Sequence, residues 1–323
     1  MEQIKVFSPA RFDLAGGTLD IYPIYLFFKN PFTLNSTLSK GITVKIKKVR
    51  GKSKIKNLNY GDEEFFPSHN PSLKIVSLLL ENLGIENGVR IGFKSDFPQG
   101  SSLGVSSSLL VGLFYGLKRL FNLKMSLPKT VEFLKNVETT LINYPAGLQD
   151  YLAPLYGGTN AFYFGAKGYK REKIRLSKTI SDSFLFVYTG KSHFSGAPNW
   201  ELFKGFFDGN KSIKKGFEHI YQNSKKILQT IEKKDVKSLG KFLKEDFETR
   251  KNMLSSLVPN IPLFSQLDEI DFVYGYRLCG AAAGGTVVVV ADREKKRKLR
   301  QQLEKLGYTV FDCVQKNIKV GEI

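Results

Sequence analysis

Cysteine is nearly absent from this 323-residue chain: Cys279 and Cys313 stand alone and far apart, which excludes a disulfide framework. Histidine is as scarce. His69, His193 and His219 share no metal-ligand spacing, so a structural zinc site is not expected. One tryptophan and three methionines leave no material for a cofactor box. No apolar run is long enough to cross a bilayer, and Met1-Glu2-Gln3-Ile4-Lys5-Val6-Phe7 lacks the apolar core of a signal peptide, so the expected location is the cytoplasm. Repeats and low-complexity tracts are missing too.

Acidic residues are outnumbered, 30 Asp and Glu against 49 Lys and Arg, for a formal net charge of +19. Such a balance invites a nucleic-acid or membrane reading. The basic residues are mostly lysines dispersed along helical and strand segments, however. The densest cluster, Arg293 to Arg300, continues to Leu306 with Leu299, Leu303 and Leu306 in one narrow stripe, the pattern of a packed helix with a solvated basic face. Zinc-finger spacing, an RNA-binding aromatic signature and a helix-turn-helix pattern do not accompany it. Nucleic acid and membrane are therefore not expected partners, whereas a phosphorylated substrate or nucleotide suits a basic surface.

What is present is ordinary globular material, 42% hydrophobic and 24% charged, enough for one large domain or two packed ones. Alternation predicts strands at Ile4–Phe7, Gly41–Lys47, Val89–Ser95, Asn160–Phe164, Phe184–Tyr188, Thr286–Val290 and Thr309–Val314. Helical spacing predicts helices at 72–83, 106–122, after Pro128, through 212–255 and at 292–306. Residues 49–70 read as loops or a short hairpin, and 147–158 as a turn-rich insertion. Strands in mixed order with segregated helices argue for an α+β fold.

Three glycine-rich turns, at 13–18, 98–104 and 280–285, punctuate this pattern. The central one, Pro98-Gln99-Gly100-Ser101-Ser102-Leu103-Gly104-Val105-Ser106-Ser107-Ser108, lies between a strand and a helix carrying Leu109, Leu110, Leu113, Phe114 and Leu117. At a helix N-terminus the first amides lack intrahelical partners and the dipole is positive, while glycines let the backbone approach an anion. Taken alone, the segment reads equally as a Ser-capped helix after a Gly turn.

Together the turns resemble the three motifs of the GHMP kinases, small-molecule kinases named for galactose, homoserine, mevalonate and phosphomevalonate. Ser8 to Asp20 resembles the first, Pro98 to Ser108 the second and Leu278 to Gly285 the third, over nearly the full length. Finer likeness to the sugar 1-kinases acting on heptose 7-phosphate or fucose lies in Ala15-Gly16-Gly17 ending at Asp20, in Asn35-Ser36-Thr37-Leu38, and in Gly147-Leu148-Gln149-Asp150-Tyr151 with Tyr156-Gly157-Gly158-Thr159-Asn160. The resemblance implies a two-lobed α+β fold: a ribosomal protein S5 domain 2-like ATP-binding lobe over 1–180 and a ferredoxin-like lobe over 181–323. It also implies ATP- and Mg2+-dependent, direct in-line transfer to a small-molecule hydroxyl, the anomeric one of a sugar or sugar phosphate, by a monomer or homodimer.

On that resemblance ATP phosphates are held by Pro98, Gly100, Ser101, Ser102, Leu103, Gly104, Val105, Ser106, Ser107 and Ser108, and Mg2+ by Ser106 and Glu138. Asp150 is the base and Arg11 its cationic partner. Gly16, Gly17, Asp20, Asn35, Gly280, Ala281 and Gly284 face the substrate, with His193 a weaker candidate. Read without the resemblance, Glu138 is a helix-surface or capping carboxylate, Arg11 a strand-end ion pair, Asp20 a local backbone cap and His193 a structural or surface residue. The chain departs from the family pattern at Ser102, Val105, Ala282 and Ala283, where added Cβ atoms narrow the backbone near phosphate or substrate. Two other readings remain open: a mevalonate-type kinase acting on a primary alcohol, and a non-catalytic nucleotide- or sugar-binding paralogue. A pure binder has no need for Asp150, Glu138, Ser106 and Arg11 together.

Overall fold

The computed structural model describes residues 2–191, 196–254, 258–259, 261–280 and 284–323. In chain order the first part holds β1 (Gln3–Ala15), β2 (Phe32–Lys52), β3 (Lys54–Asn57), β4 (Glu63–Phe65), α1 (Lys74–Asn82), β5 (Asn87–Ser95), α2 (Val105–Leu120), α3 (Leu127–Ile142), α4 (Gln149–Tyr156), β6 (Thr159–Gly165) and β7 (Gly168–Ile174). The second holds α5 (Lys178–Ser181), β8 (Phe184–Tyr188), α6 (Gly196–Phe207), α7 (Lys211–Lys233), α8 (Val236–Met253), α9 (Pro262–Asp268), β9 (Val273–Leu278), β10 (Thr286–Ala291), α10 (Lys296–Lys305), β11 (Thr309–Val310) and β12 (Gly321–Glu322).

Among the described residues eight strands form the first sheet, with the order β12-β1-β2-β5-β3-β4 and the β6–β7 pair attached to β2. Period-two alternation sends Ile4, Val6, Ile42, Val44, Ile46 and Ile91 into one core with α1, α2 and α3, and leaves the opposite face to solvent. Register irregularities between Pro9 and Arg11 and between Asp13 and Ala15 end that simple pattern. From Ser8 to Ile21 every residue is buried, because the second lobe covers what α2 and α4 do not. Phe12 packs edge-on against Phe184 and Phe186 of β8, while Arg11 reaches α4.

The second sheet has the antiparallel order β11-β8-β10-β9. With helices between β8 and β9 and α10 between β10 and β11, this is the β-α-β-β-α-β arrangement of a ferredoxin-like fold. Chain from the second lobe then returns to the first. The Lys316 N–H bonds the Thr37 carbonyl, and β12 pairs with β1 through Val6 and Glu322.

Several local expectations need correction. The segment 147–158 is not a turn-rich insertion: helix α4 occupies it, because Tyr151, Leu152 and Ala153 bury a continuous face despite Pro154. Pro128 does not precede its helix but sits in the first turn of α3, where its missing N–H costs nothing. The last predicted strand stops at Val310, since Ser39 and Thr37 draw the following residues along β2 instead. Leu299 and Leu303 of the basic helix are buried as expected, but Leu306 lies beyond its end and is exposed.

Candidate active site

The central loop turns sharply through Gly100, Ser102 and Gly104, all with positive φ, before α2 begins. Ser102 adopts this conformation (φ 61°) against the preference of its Cβ, and it is held from two sides. Its hydroxyl donates to the Gly284 carbonyl at 3.0 Å, and its own carbonyl accepts from Arg11 Nη1 at 2.9 Å. The departure from glycine thus serves as a clasp between the second and third turns. Glycine is needed opposite: a Cβ at Gly285 (φ 92°) would meet the Ser102 hydroxyl at 2.5 Å.

Within α2 the first intrahelical bond runs from the Ser108 N–H to the Gly104 carbonyl, leaving the amides of Val105, Ser106 and Ser107 in the unpaired first turn. Ser106 is exposed, whereas Ser107 is buried and donates its hydroxyl to Glu138 Oε2 at 2.7 Å. Not every expected phosphate ligand keeps a free donor. Pro98 has no N–H, the Ser101 N–H bonds the Pro98 carbonyl, and Ser108 directs its hydroxyl to the Pro9 carbonyl. Leu103 buries its side chain in the inter-lobe core, and its carbonyl accepts the Arg11 N–H.

Glu138 lies on α3 beneath this turn and also accepts the Tyr151 hydroxyl at 2.5 Å. Burial pushes its carboxyl pKa up, and the hydrogen bonds from Tyr151, Ser107 and Ser106 offset only part of that rise. Seryl and carboxylate oxygens are hard donors of the kind Mg2+ takes. Among the described residues no group of three or more His, Cys, Asp or Glu side chains could hold a metal by itself. A divalent cation here would complete its shell with substrate phosphates and water, as Mg2+ commonly does.

Asp150 occupies the first turn of α4 and forms a fork with Arg11: Nε to Oδ1 at 2.8 Å and Nη2 to Oδ2 at 2.7 Å. Burial disfavours the Arg11 charge, yet the carboxylates of Asp150 and Asp13 outweigh it and raise the guanidinium pKa. Asp20 is buried beside them, with Oδ2 accepting the Gln149 N–H at 2.9 Å. Burial, helped by the Asp150 charge, pushes the Asp20 pKa up to about 6. A polar cavity of about 50 Å³ is lined by Arg11, Thr18, Asp20, Gln149, Asp150, Asn199 and Gly280, among others. A more apolar cavity of about 170 Å³ abuts the central loop at Gln99, Gly100, Val105 and Ser106, with Tyr60, Phe93 and Phe97 in its wall.

Other substrate-side expectations fall differently. Gly16 and Gly17 shape the first turn without lining the polar cavity, and a Cβ at Gly16 (φ 71°) would run into the Phe32 carbonyl. Asn35 lies opposite Asp13 in the β1–β2 register, fully buried, and among the described residues neither of its amide atoms has a hydrogen-bond partner. Gly284 receives the Ser102 clasp. His193, Ala281, Ala282 and Ala283 lie outside the described residues.

Sequence reasoning missed the charges that brace the site. Asp13 accepts the Gly280 N–H at 2.9 Å and pairs with Arg277 at 2.5 Å; Arg277 pairs with Asp246, and Asp246 with Arg250. Arg250 then donates to the Gly17 carbonyl at 2.6 Å and to Thr18 Oγ1 at 3.1 Å. All four charged side chains are fully buried. Burial alone would raise the Asp13 pKa, but Arg277 and Arg11 pull it below the usual carboxylate value. The signal in sequence was an aspartate between Phe12 and Leu14 in an otherwise apolar stretch.

The chain is similar to known proteins. Residues 70–158 match the model of the GHMP kinases N terminal domain. A D-glycero-alpha-D-manno-heptose 7-phosphate kinase of Campylobacter jejuni is 25% identical, over 100% of both chains. A galactokinase of Pyrococcus furiosus is 24% identical, over 69% of this chain and 73% of its own. In structure, a D-glycero-D-manno-heptose 1-phosphate kinase from Bacteroides thetaiotaomicron superposes with a TM-score of 0.77 at 16% identity, covering 100% of this chain and 99% of its own. The chain thus carries a match to the GHMP kinases N terminal domain over 70–158, is similar along its whole length to a named kinase, and shares the fold of such kinases.

Proposed function

We propose that the protein transfers the terminal phosphoryl group of ATP to a hydroxyl of a sugar or sugar phosphate, the anomeric hydroxyl being the acceptor, with Mg2+ as cofactor. The observation that carries this reading is the Arg11–Asp150 fork, set between the α2 loop and the polar cavity. A carboxylate fixed at both oxygens is positioned to accept a proton from a hydroxyl bound beside it. The Arg11 guanidinium, kept charged in a buried site, stabilises negative charge gathering on the transferred group.

The remaining parts fit around this pair. The apolar cavity with Tyr60, Phe93 and Phe97 suits a nucleotide base, and the free first-turn amides of α2 suit its phosphates. Ser106 and Glu138 would hold Mg2+, which neutralises phosphate charge when bound. Asp20, Gln149 and Asn199 offer the hydrogen-bonding groups that a polyol requires. The names of the heptose 7-phosphate kinase and the galactokinase support a sugar acceptor.

ATP turnover measured with heptose 7-phosphate, galactose, fucose, mannose and mevalonate tests the reading, with Asp150→Asn in parallel. Turnover with a sugar that collapses in Asp150→Asn is expected. Tight ATP binding without turnover on any acceptor would turn the reading to a nucleotide sensor, and turnover on mevalonate alone would turn it to a primary-alcohol kinase. Undiminished activity in Asp150→Asn would remove Asp150 as base.

A further inference from the structure

The lysines that look dispersed in sequence are gathered in space by strand alternation. On the solvent face of the first sheet, Lys47, Arg90 and Lys54 stand opposite one another across β2, β5 and β3. Lys5, Lys45 and Lys56 stand in the neighbouring row across β1, β2, β5 and β3, where β5 contributes only Gly92. Strands lie about 4.8 Å apart and same-face neighbours along a strand about 6.6 Å apart, so six cations share a patch about three strand spacings wide. Like charges directly opposite one another destabilise a sheet.

Among the described residues a single carboxylate answers this array. Glu63 bridges Lys54 and Lys56 at 3.1 and 3.2 Å, leaving Lys5, Lys45, Lys47 and Arg90 without an ion pair. Because Gly92 brings no side chain, the second row is open on β5, with Leu58 at its border. A depression of about 220 Å³ has Gly92 in its lining and Lys45, Lys47, Arg90, Lys54 and Lys56 around it. That space admits anionic groups among the cations.

We propose that this face binds the phosphate backbone of single-stranded nucleic acid, without sequence preference. One isolated phosphate would neutralise one or two of the cations, whereas a chain of linked phosphates can track both rows. A second copy of the protein would be repelled by the same charge. A bilayer is the poorer fit, since adjacent strands rotate by roughly 20–25° and the only large apolar side chains bordering the rows among the described residues are the exposed Phe65, opposite Lys54, and Leu58, beside Gly92; the Phe65 ring offers a base a stacking surface. The active site is built on other surfaces and is not used by this contact.

The test is fluorescence anisotropy of a labelled thymidine 20-mer against the full chain across a salt series, with the Lys45→Gln/Lys47→Gln/Arg90→Gln variant. A control variant, Lys211→Gln/Lys215→Gln/Lys233→Gln on α7, has the same net charge. Wild-type binding should follow salt with a log–log slope of roughly −3, as about four phosphate contacts require. The sheet variant should bind at least tenfold more weakly, its slope shallower by about 2, while the control stays near wild type. Thermal melts of both variants establish that each is folded. No binding at low salt, equal weakening in the two variants, or tighter co-sedimentation with anionic phospholipid vesicles than with the oligonucleotide would each overturn the proposal.

Discussion

Arg11 on β1 and Asp150 at the start of α4 meet through two parallel hydrogen bonds of 2.8 and 2.7 Å, and the third nitrogen of the same guanidinium holds the Ser102 carbonyl of the central loop at 2.9 Å. One side chain therefore sets the carboxylate and the loop relative to each other. Lysine would keep the charge but not this planar fork. Arg11→Lys should lower kcat by about 10- to 100-fold with the ATP KM also raised, since the loop loses its brace. Asp150→Asn should lower kcat by about 10²- to 10⁴-fold, with nucleotide affinity nearly unchanged. Steady-state kinetics with calorimetric ATP titration separates the two patterns.

Asp20 is a carboxylate whose burial costs stability. Its proton is held up to about pH 6 in the folded protein, against an ordinary value of 3.8. The folded state therefore binds more protons than the unfolded chain between those values, and stability falls as pH rises through that window. A shift of this size corresponds to about 2 to 3 kcal/mol. Asp20→Asn keeps an oxygen for the Gln149 N–H and removes the buried charge. It should raise stability by about 2 kcal/mol at pH 7.5, show little gain at pH 4, and weaken the acceptor. Urea melts at the two pH values, set beside acceptor KM, check all three outcomes.

The Asp13–Arg277–Asp246–Arg250 chain ties the second lobe to the first glycine turn, and none of its members is solvated. Breaking one partner of a buried pair leaves an uncompensated charge and typically costs about 3 to 5 kcal/mol. Arg277→Met should show a loss of that order in denaturant midpoint. It should also impair catalysis, because Asp13 would lose the partner that aims it at the Gly280 N–H. Combining it with Asp246→Leu should restore part of the stability, since both losses stem from one interaction.

Much of the frame was legible because it rests on local chemistry. Alternating Ile4, Val6, Val44 and Ile46 specify strands, the Leu109–Leu117 spacing specifies α2, and three glycine turns mark close backbone approaches. Asp150 and Arg11 came from motif resemblance, and the fold does bring them together. What the sequence did not reveal depends on partners distant in the chain. Gln149 to Tyr156 has turn punctuation at both ends, yet burial of Tyr151 and Leu152 makes it helical. Arg250 and Arg277 look like surface cations until α8 and β9 pack them against Asp13 and Asp246. The basic face of the first sheet was hidden in a similar way, for register alone decides which lysines become neighbours.

Cys279 stands at the end of β9, fully buried and close enough to Asp13 and Arg11 to interact with both charges. Burial, reinforced by Asp13, pushes its thiol pKa up to about 12, and burial likewise pushes Cys313 to about 12. The thiolate is the reactive form, so neither residue should react while the chain is folded. Iodoacetamide at pH 8 should leave the native protein unlabelled and fully active, whereas urea should expose two reactive thiols per chain. Since Cys279 is packed in the inter-lobe core, its labelling rate under native conditions reports opening of the lobes about the site. Saturating ATP should slow that rate if the nucleotide bridges the central loop and α3, and mass spectrometry of the Cys279 peptide distinguishes it from Cys313. Rapid labelling of Cys279 in the folded, nucleotide-bound enzyme would show that the inter-lobe core is not closed as described.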